Sequence, residues 1–221
     1  PKLAQIKINL ALPHPSISPF LIRRGDGGEI ILDPFCGSGT ILTEAMLMGY
    51  KNIIGSDISK KAVENSGKNI QWIKESYKLQ ATSYKLHNKN ATELSQFIKP
   101  NSIDAIITEP YLGPQRGKFD IIQVKKELEI LYSKSLIEFK KILKPRGRVV
   151  IIWPSFTLRD KVTDGNPVSG FISPNLNGFK IINPIPESLR NNKFIKLTKR
   201  NTIVYGRPNQ RVWREIVILE N

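Results

Sequence analysis

Apolar residues in this chain fall into short unbroken runs separated by longer stretches of helical period. Glu29–Leu32, Asn52–Ser56, a segment within Ser83–His87, Ile103–Thr108 and Arg148–Trp153 are runs bounded by turn residues, and each reads as a strand. Between them, a helix over Ile41–Met48 stops at Gly49, which suits the left-handed position after a helix. A second helix, capped by Ser59, runs through Ala62, Val63, Ile70 and Ile73. The third spans Val124–Leu143, where Leu128, Tyr132, Leu136, Phe139 and Leu143 recur at three- and four-residue steps until Pro145 and Gly147 end it. Strand and helix alternate, which predicts an α/β domain with a mostly parallel sheet and helices on both faces. The last third is less regular, and there Thr202–Arg207 and Arg211–Leu219 predict an antiparallel hairpin turned at Pro208-Asn209-Gln210. With no repeat, low-complexity tract or long linker, residues 1–221 read as one domain, 1–28 being a lead-in segment.

Length and composition narrow this picture. A chain of 221 residues suffices for one full hydrophobic core, and no apolar run reaches the roughly 18 residues of a membrane helix. The chain begins at Pro1 without an initiator methionine or a charged-then-apolar leader, so no signal peptide is visible and a preceding domain is expected to have been removed. Cys36 is the only cysteine, which excludes intrachain disulfides and multi-cysteine metal sites and fits a reducing cytoplasm. His14 and His87 are too few and too isolated for a metal centre, and no metal is expected. The three tryptophans, Trp72, Trp153 and Trp213, read as core or edge-of-core aromatics.

Charge changes the picture more. Thirty-four Lys and Arg against 19 Asp and Glu give a net charge of +15, which favours polyanions and nucleic acid above all. The run Lys140, Lys141, Lys144, Arg146, Arg148 reads as a solvated helix end favoured by its dipole. Lys193, Lys196, Lys199 and Arg200, with Phe194 interleaved and no acid among them, form the better RNA-binding candidate, a solvated face being the alternative.

Candidate chemistry concentrates where strands end. Asp33-Pro34-Phe35-Cys36-Gly37-Ser38-Gly39-Thr40 follows the first strand and opens the first helix, so its glycines permit close backbone approach and the helix start offers free N–H groups. Gly-x-Gly alone suits a dinucleotide equally well, but that fingerprint needs a small residue where Leu42 stands. Asp57 ends the second strand, followed by Ile58, and an acid there can accept both ribose hydroxyls of an adenine nucleoside. Asn90-Ala91 after the third strand either contacts the adenine or, through the Asn90 amide, caps a loop. The fourth strand ends in Thr108-Glu109-Pro110-Tyr111, similar to the Asp/Asn-Pro-Pro-aromatic motif of enzymes that methylate exocyclic amines. An aryl amine is a poor nucleophile, and a rigid proline turn aims acceptors at its hydrogens while the aromatic stacks on an extruded base. A plain strand-end turn with a core tyrosine would explain the same residues without chemistry.

With Asp33–Thr40, Gly55-Ser56-Asp57, Thr108–Tyr111, the opening Pro1-Lys2-Leu3-Ala4 and the final Gly206–Val212 and Arg214-Glu215-Ile216, most of the chain resembles a known family. It is similar to the tRNA guanosine-N2 methyltransferases whose longer members carry an N-terminal THUMP RNA-binding domain. The resemblance implies the Rossmann-like class I methyltransferase fold, a seven-stranded sheet with its last pair antiparallel. It also implies S-adenosylmethionine as cofactor, held by Asp33, Pro34, Phe35, Cys36, Gly37, Ser38, Gly39, Thr40, Asp57, Ile58, Asn90 and Ala91. RNA, most simply tRNA, is then the partner, with chemistry at Thr108, Glu109, Pro110 and Tyr111, and Cys36 is a packing residue rather than a nucleophile. Two departures stand out. A THUMP portion is absent, so it lies upstream or RNA is held differently. The amine motif has Thr108-Glu109 where an acid or amide and a proline are usual; taking Thr108 as the side-chain acceptor keeps Pro110 and Tyr111 in place and is preferred over Glu109 as the acid. The competing functions are adenine-N6 methylation of DNA or ribosomal RNA, a non-catalytic RNA-binding module that retains the cofactor pocket, and, last, a nicotinamide oxidoreductase.

Overall fold

The computed structural model describes residues 2–12, 28–79, 82–114, 116–156, 162–163, 166–167, 170–190, 197–207 and 210–221. The five apolar runs form β1 (Ile30–Asp33), β2 (Asn52–Asp57), β3 (Ser83–Asn88), β4 (Ile103–Thr108) and β5 (Leu143–Phe156). They pair in parallel in the order β3-β2-β1-β4-β5. Strand order therefore reverses between β1 and β4, and in such a sheet ligands bind at the carboxyl ends beside the reversal.

Among the described residues four α-helices cover this sheet: α1 (Lys2–Ala11), α2 (Thr40–Leu47), α3 (Lys60–Ser76) and α4 (Ile121–Ile142). Right-handed crossovers running in opposite directions from β1 place α2 and α3 on one face and α4 on the other. α1 joins the first face, against α2, β4, β5 and β10 (Val212–Glu220). It lies inside the segment read as a lead-in, and it buries Ala4, Lys7, Ile8 and Ala11 on one stripe. A lysine in the middle of that stripe hid the helical period. Ser59 caps α3 by accepting the Ala62 N–H, as its sequence predicts. Asp120 caps α4 through the Ile122 and Gln123 N–H groups, so this helix starts before the predicted Val124.

The end of α4 differs from expectation. Leu143 is the first residue of β5, paired with Ile103, instead of the last of the helix. Its complete burial satisfies either period, which is why periodicity could not separate them. The register then shifts, with Arg146 at φ 63°, and regular pairing resumes at Arg148 opposite Ala105. Pro145 and Gly147 thus sit in an irregular strand start.

β10 runs antiparallel to β5 from Val212 opposite Phe156 to Glu220 opposite Arg148. Its outer edge is covered in two pieces. β9 (Ile203–Tyr205) pairs at Arg214–Ile216, forming the expected hairpin, and β8 (Lys180–Ile181) pairs at Leu219–Glu220. The sheet numbers eight strands among the described residues, one more than expected, and β6 (Val162–Thr163) and β7 (Asn166–Pro167) form a separate antiparallel pair.

The basic segments are more committed than their sequence suggested. Lys141 pairs with Glu138, Lys144 with Asp104 and Arg148 with Glu220, while Lys140 donates to the Asn177 carbonyl. Lys193, Lys196 and Phe194 lie outside the described residues, as does His14. Lys199 is exposed. Arg200, by contrast, is built into the fold: its Nε donates to Glu215 at 2.7 Å, a second nitrogen to the Ile172 carbonyl at 2.8 Å, and its guanidinium lies over Trp153 and Phe171. Trp153 is buried as expected, but Trp72 is 62% exposed on α3 and is no core residue. His87 packs against Phe97 with the rings tilted by 44°, and burial, with Lys85 and Lys89 nearby, lowers its pKa.

Glu215 is fully buried and depends on Arg200 and Thr202 for its partners. Removing one member of a buried ion pair leaves an uncompensated charge. Arg200→Met is expected to lower the unfolding free energy by about 3 kcal/mol in urea titrations, whereas Lys199→Met should leave it within about 0.5 kcal/mol.

Candidate active site

The carboxyl ends of β1, β2 and β4 deliver their terminal residues to one crevice. After β1 the chain turns through Gly37 (φ 52°) and Gly39 (φ 86°) into α2. These positive angles favour glycine, and a Cβ on Gly39 would also lie 2.4 Å from the Ser66 hydroxyl of α3. A Cβ on Gly37 meets nothing within 4 Å, so its direction is open space along the crevice wall. The loop is pinned from both sides: the Cys36 N–H donates to the Ser56 carbonyl, the Gly37 N–H to Asp57 at 2.9 Å, and Asn69 donates to the Ser38 carbonyl. Asp57 also accepts the Ser59 N–H, and Asn88 holds the Asp57 and Ile58 carbonyls.

Two lobes of cavity open along this loop. One, of about 440 Å³, is lined by Asp57, Ile58, Asn90, Ala91 and Tyr111 among others. The other, of about 630 Å³, is bounded by Asp33, Ser38, Thr40, Lys7, Arg207 and Arg214 among others. Phe35, Gly37, Glu109 and Pro110 line both, which makes one cleft with Glu109 at its waist. Pro34 lines the smaller lobe and Cys36 the larger, so every residue expected at the cofactor except Gly39 touches the cleft. Gly39 acts instead on loop geometry. Asn90 has the capping role, its side chain accepting the Thr92 N–H at 3.0 Å, while also lining the smaller lobe.

The strand-four residues divide. Thr108, preferred above as the side-chain acceptor, is fully buried and lines neither lobe; its hydroxyl donates to Asp33 at 2.7 Å. Glu109 is the residue that faces the cleft. Its carboxylate takes Arg214 Nε at 2.8 Å on one oxygen and Lys7 Nζ at 3.4 Å on the other. Tyr111 is 60% exposed beside it, and the backbone there is fixed by Tyr132, whose hydroxyl donates to the Tyr111 carbonyl at 2.7 Å. The sequence reading missed Lys7 and Arg214 as site residues; they come from α1 and β10, and no local motif links them to Glu109.

Burial dominates the electrostatics. It pushes the Asp33 carboxyl up to about 6, with the Thr108 hydrogen bond, Lys7 and the Phe35 N–H pulling against it. Burial likewise lowers the Lys7 pKa, opposed by Glu109 and Asp33. The Cys36 thiol is pushed up to about 12 by burial and then by Asp33 and Asp57, which leaves it a packing residue with no thiolate. Among the described residues no group of three or more His, Cys, Asp and Glu is placed to hold a metal ion, and no helix is long and apolar enough to cross a membrane.

The family model described as the RMKL-like methyltransferase domain matches residues 21–175. The tRNA (guanine(10)-N2)-dimethyltransferase of Methanocaldococcus jannaschii is 31% identical over 168 residues, 75% of this chain and 40% of that protein. Its namesake from Methanothermobacter thermautotrophicus is 36% identical over 113 residues, 51% of this chain and 27% of that protein. The chain thus spans less than half the length of either relative. Among solved structures, TrmN from Thermus thermophilus superposes with a TM-score of 0.58 at 22% identity, covering 99% of this chain and 48% of that one. Magnesium protoporphyrin IX methyltransferase from Synechocystis PCC 6803, with bound SAH, gives 0.52 at 15% identity, covering 100% and 84%. These two likenesses bear on the fold, which is the class I methyltransferase fold.

Asp33 carries a test by pH. The unfolded carboxyl loses its proton near 3.8 and the folded one near 6, so between these values the folded chain binds more protons. The associated stability is complete below about pH 4 and is lost as pH rises through about 6, by roughly 3 kcal/mol in all. Asp33→Asn cannot ionise. Urea unfolding from pH 4 to pH 7 should therefore show wild type losing about that much relative to the variant.

Proposed function

The chain belongs to the RMKL-like methyltransferase domain family, and from that premise we propose that it transfers a methyl group from S-adenosylmethionine to the N2 amine of guanine in a cytoplasmic tRNA. The observation that carries this reading is the join of the glycine loop to Glu109-Pro110-Tyr111 along one cleft, in a chain whose relatives are named for guanine-N2 methylation. The net charge of +15 suits a polyanionic substrate.

The cleft suits S-adenosylmethionine by its donor set. Asp57 offers carboxylate oxygens to a ribose diol, Ile58 and Ala91 offer apolar contact to a purine, and the bare Gly37 leaves room where any side chain would intrude. The larger lobe, from Asp33 through Ser38 and Thr40, is assigned to the amino-acid end. When bound, the cofactor supplies an electrophilic methyl on a sulfonium. The chain's own work is then placement. Tyr111 offers a platform for an extruded base, Pro110 stiffens the turn, and Glu109 accepts an amine hydrogen. Thr108 acts one layer back, tying Asp33 to the end of β4.

Two measurements test this. Mass spectrometry of nucleosides from tRNA incubated with the protein and methyl-labelled S-adenosylmethionine should reveal N2-methylated guanosine; label on adenosine N6, or none at all, overturns the assignment. Calorimetry should show that Asp57→Ala weakens S-adenosylmethionine binding by about 2 kcal/mol, roughly thirtyfold, from the lost charged acceptor. Unchanged affinity in a folded variant removes Asp57 from the site.

A further inference from the structure

Lys7 is an expensive residue in its place. It is 2% exposed on the buried stripe of α1, and a lysine there is tolerated only when paired. Its hydrogen-bond partner is the Glu109 carboxylate, which Arg214 grips from the opposite side of the chain's topology. Two cations from two elements thus fix one carboxylate that still lines both lobes of the cleft. A plain stabilising pair needs one cation, and its carboxylate need not face a cavity.

We propose that Glu109, clamped by Lys7 and Arg214, is the residue that selects guanine, accepting N1–H and N2–H of the same base at once; this rests on the guanine-N2 reading above. Each carboxylate oxygen has two acceptor sites. Arg214 takes one on the first oxygen and Lys7 one on the second, which leaves one on each. Two parallel acceptors match guanine's Watson–Crick edge, where N1–H and N2–H lie side by side. Adenine offers a bare N1 acceptor beside its amine. So does 2,6-diaminopurine, which nonetheless keeps an amine at position 2. For both, a carboxylate oxygen faces a lone pair, and mismatched polar groups in a closed site discriminate far more strongly than missing apolar contacts. In the register that makes Glu109 the acid of the related motif, its carboxylate is then also a device for base choice. Lys7 and Arg214 are positioning residues that hold the rotamer of a carboxylate lining both lobes.

The test compares single-turnover methyl transfer to tRNA bearing guanosine or 2,6-diaminopurine riboside at the nucleotide that mass spectrometry identifies. The wild type should prefer guanosine by about a hundredfold, the worth of a good bidentate pair. In Glu109→Gln the amide can turn its NH2 towards a bare N1 and its oxygen towards N2–H, so the preference should fall to a few-fold while the guanosine rate drops. Lys7→Met and Arg214→Met, checked for melting temperature and S-adenosylmethionine binding, should each lower the preference as well as the rate. A wild-type preference near one overturns the proposal without any variant. A folded Glu109→Gln that keeps the hundredfold preference overturns it too, and equal rate losses on both substrates in Lys7→Met would make that lysine structural only. Methyl transfer to a base other than guanine, or no transfer, fails the functional reading itself and is recognised as such by the nucleoside analysis.

Discussion

One hydrogen bond, from the Thr108 hydroxyl to the Asp33 carboxyl, crosses the point where strand order reverses. It ties the last residue of β1 to the last residue of β4, and the two functional loops depart from those residues. From Asp33 the chain turns into the glycine loop, whose backbone is in turn held by Asp57 and Ser56 at the end of β2. From Thr108 it turns into Glu109-Pro110-Tyr111, held by Tyr132 from the far face. The β1–β4 ladder sets the register up to Leu32 and Ile106, and the Thr108–Asp33 bond extends the tie to the strand ends themselves. A buried donor and acceptor with each other as partner cannot shift without one being left unsatisfied.

That bond also explains which parts of the site were legible in the sequence. Local signals were reliable where one residue type has one physical job. Gly37 and Gly39 lie in the tight loop before α2, where close backbone approach was expected of them, and Ser59 caps α3 as its position suggested. Asp57 sits at the predicted strand end and reaches back to the loop. Thr108 and Glu109 were harder because adjacent residues on a strand point to opposite sides, and the motif alone does not say which side is the cleft. Pairing the β4 end with Asp33 settles it: Thr108 points inward and Glu109 outward. Lys7 and Arg214 carry no local signal, since their meaning depends on α1 and β10 arriving at the same carboxylate.

The charge excess illustrates the same limit. Counting Lys and Arg gave a correct sum and an incomplete account of where the charge acts. Arg200 belongs to a buried network with Glu215, and Lys141, Lys144 and Arg148 have acidic partners of their own. Cations that line a cavity, such as Arg207 and Arg214, come from the terminal hairpin, where aromatic interleaving did not single them out.

The span matched by the family model runs from residue 21 to residue 175, while α1 ends at Ala11 and β10 begins at Val212. A domain boundary drawn at those limits keeps the glycine loop, Asp57 and the whole of Glu109-Pro110-Tyr111. It discards both cations that grip the carboxylate, and with β10 the antiparallel neighbour of β5. The recognisable centre of the chain is therefore not a self-sufficient module. Its flanks, which a boundary survey would trim as decoration, supply the counter-charges for the acid at the waist of its cleft, and any transplant of this site into another scaffold has to carry three separate stretches of chain.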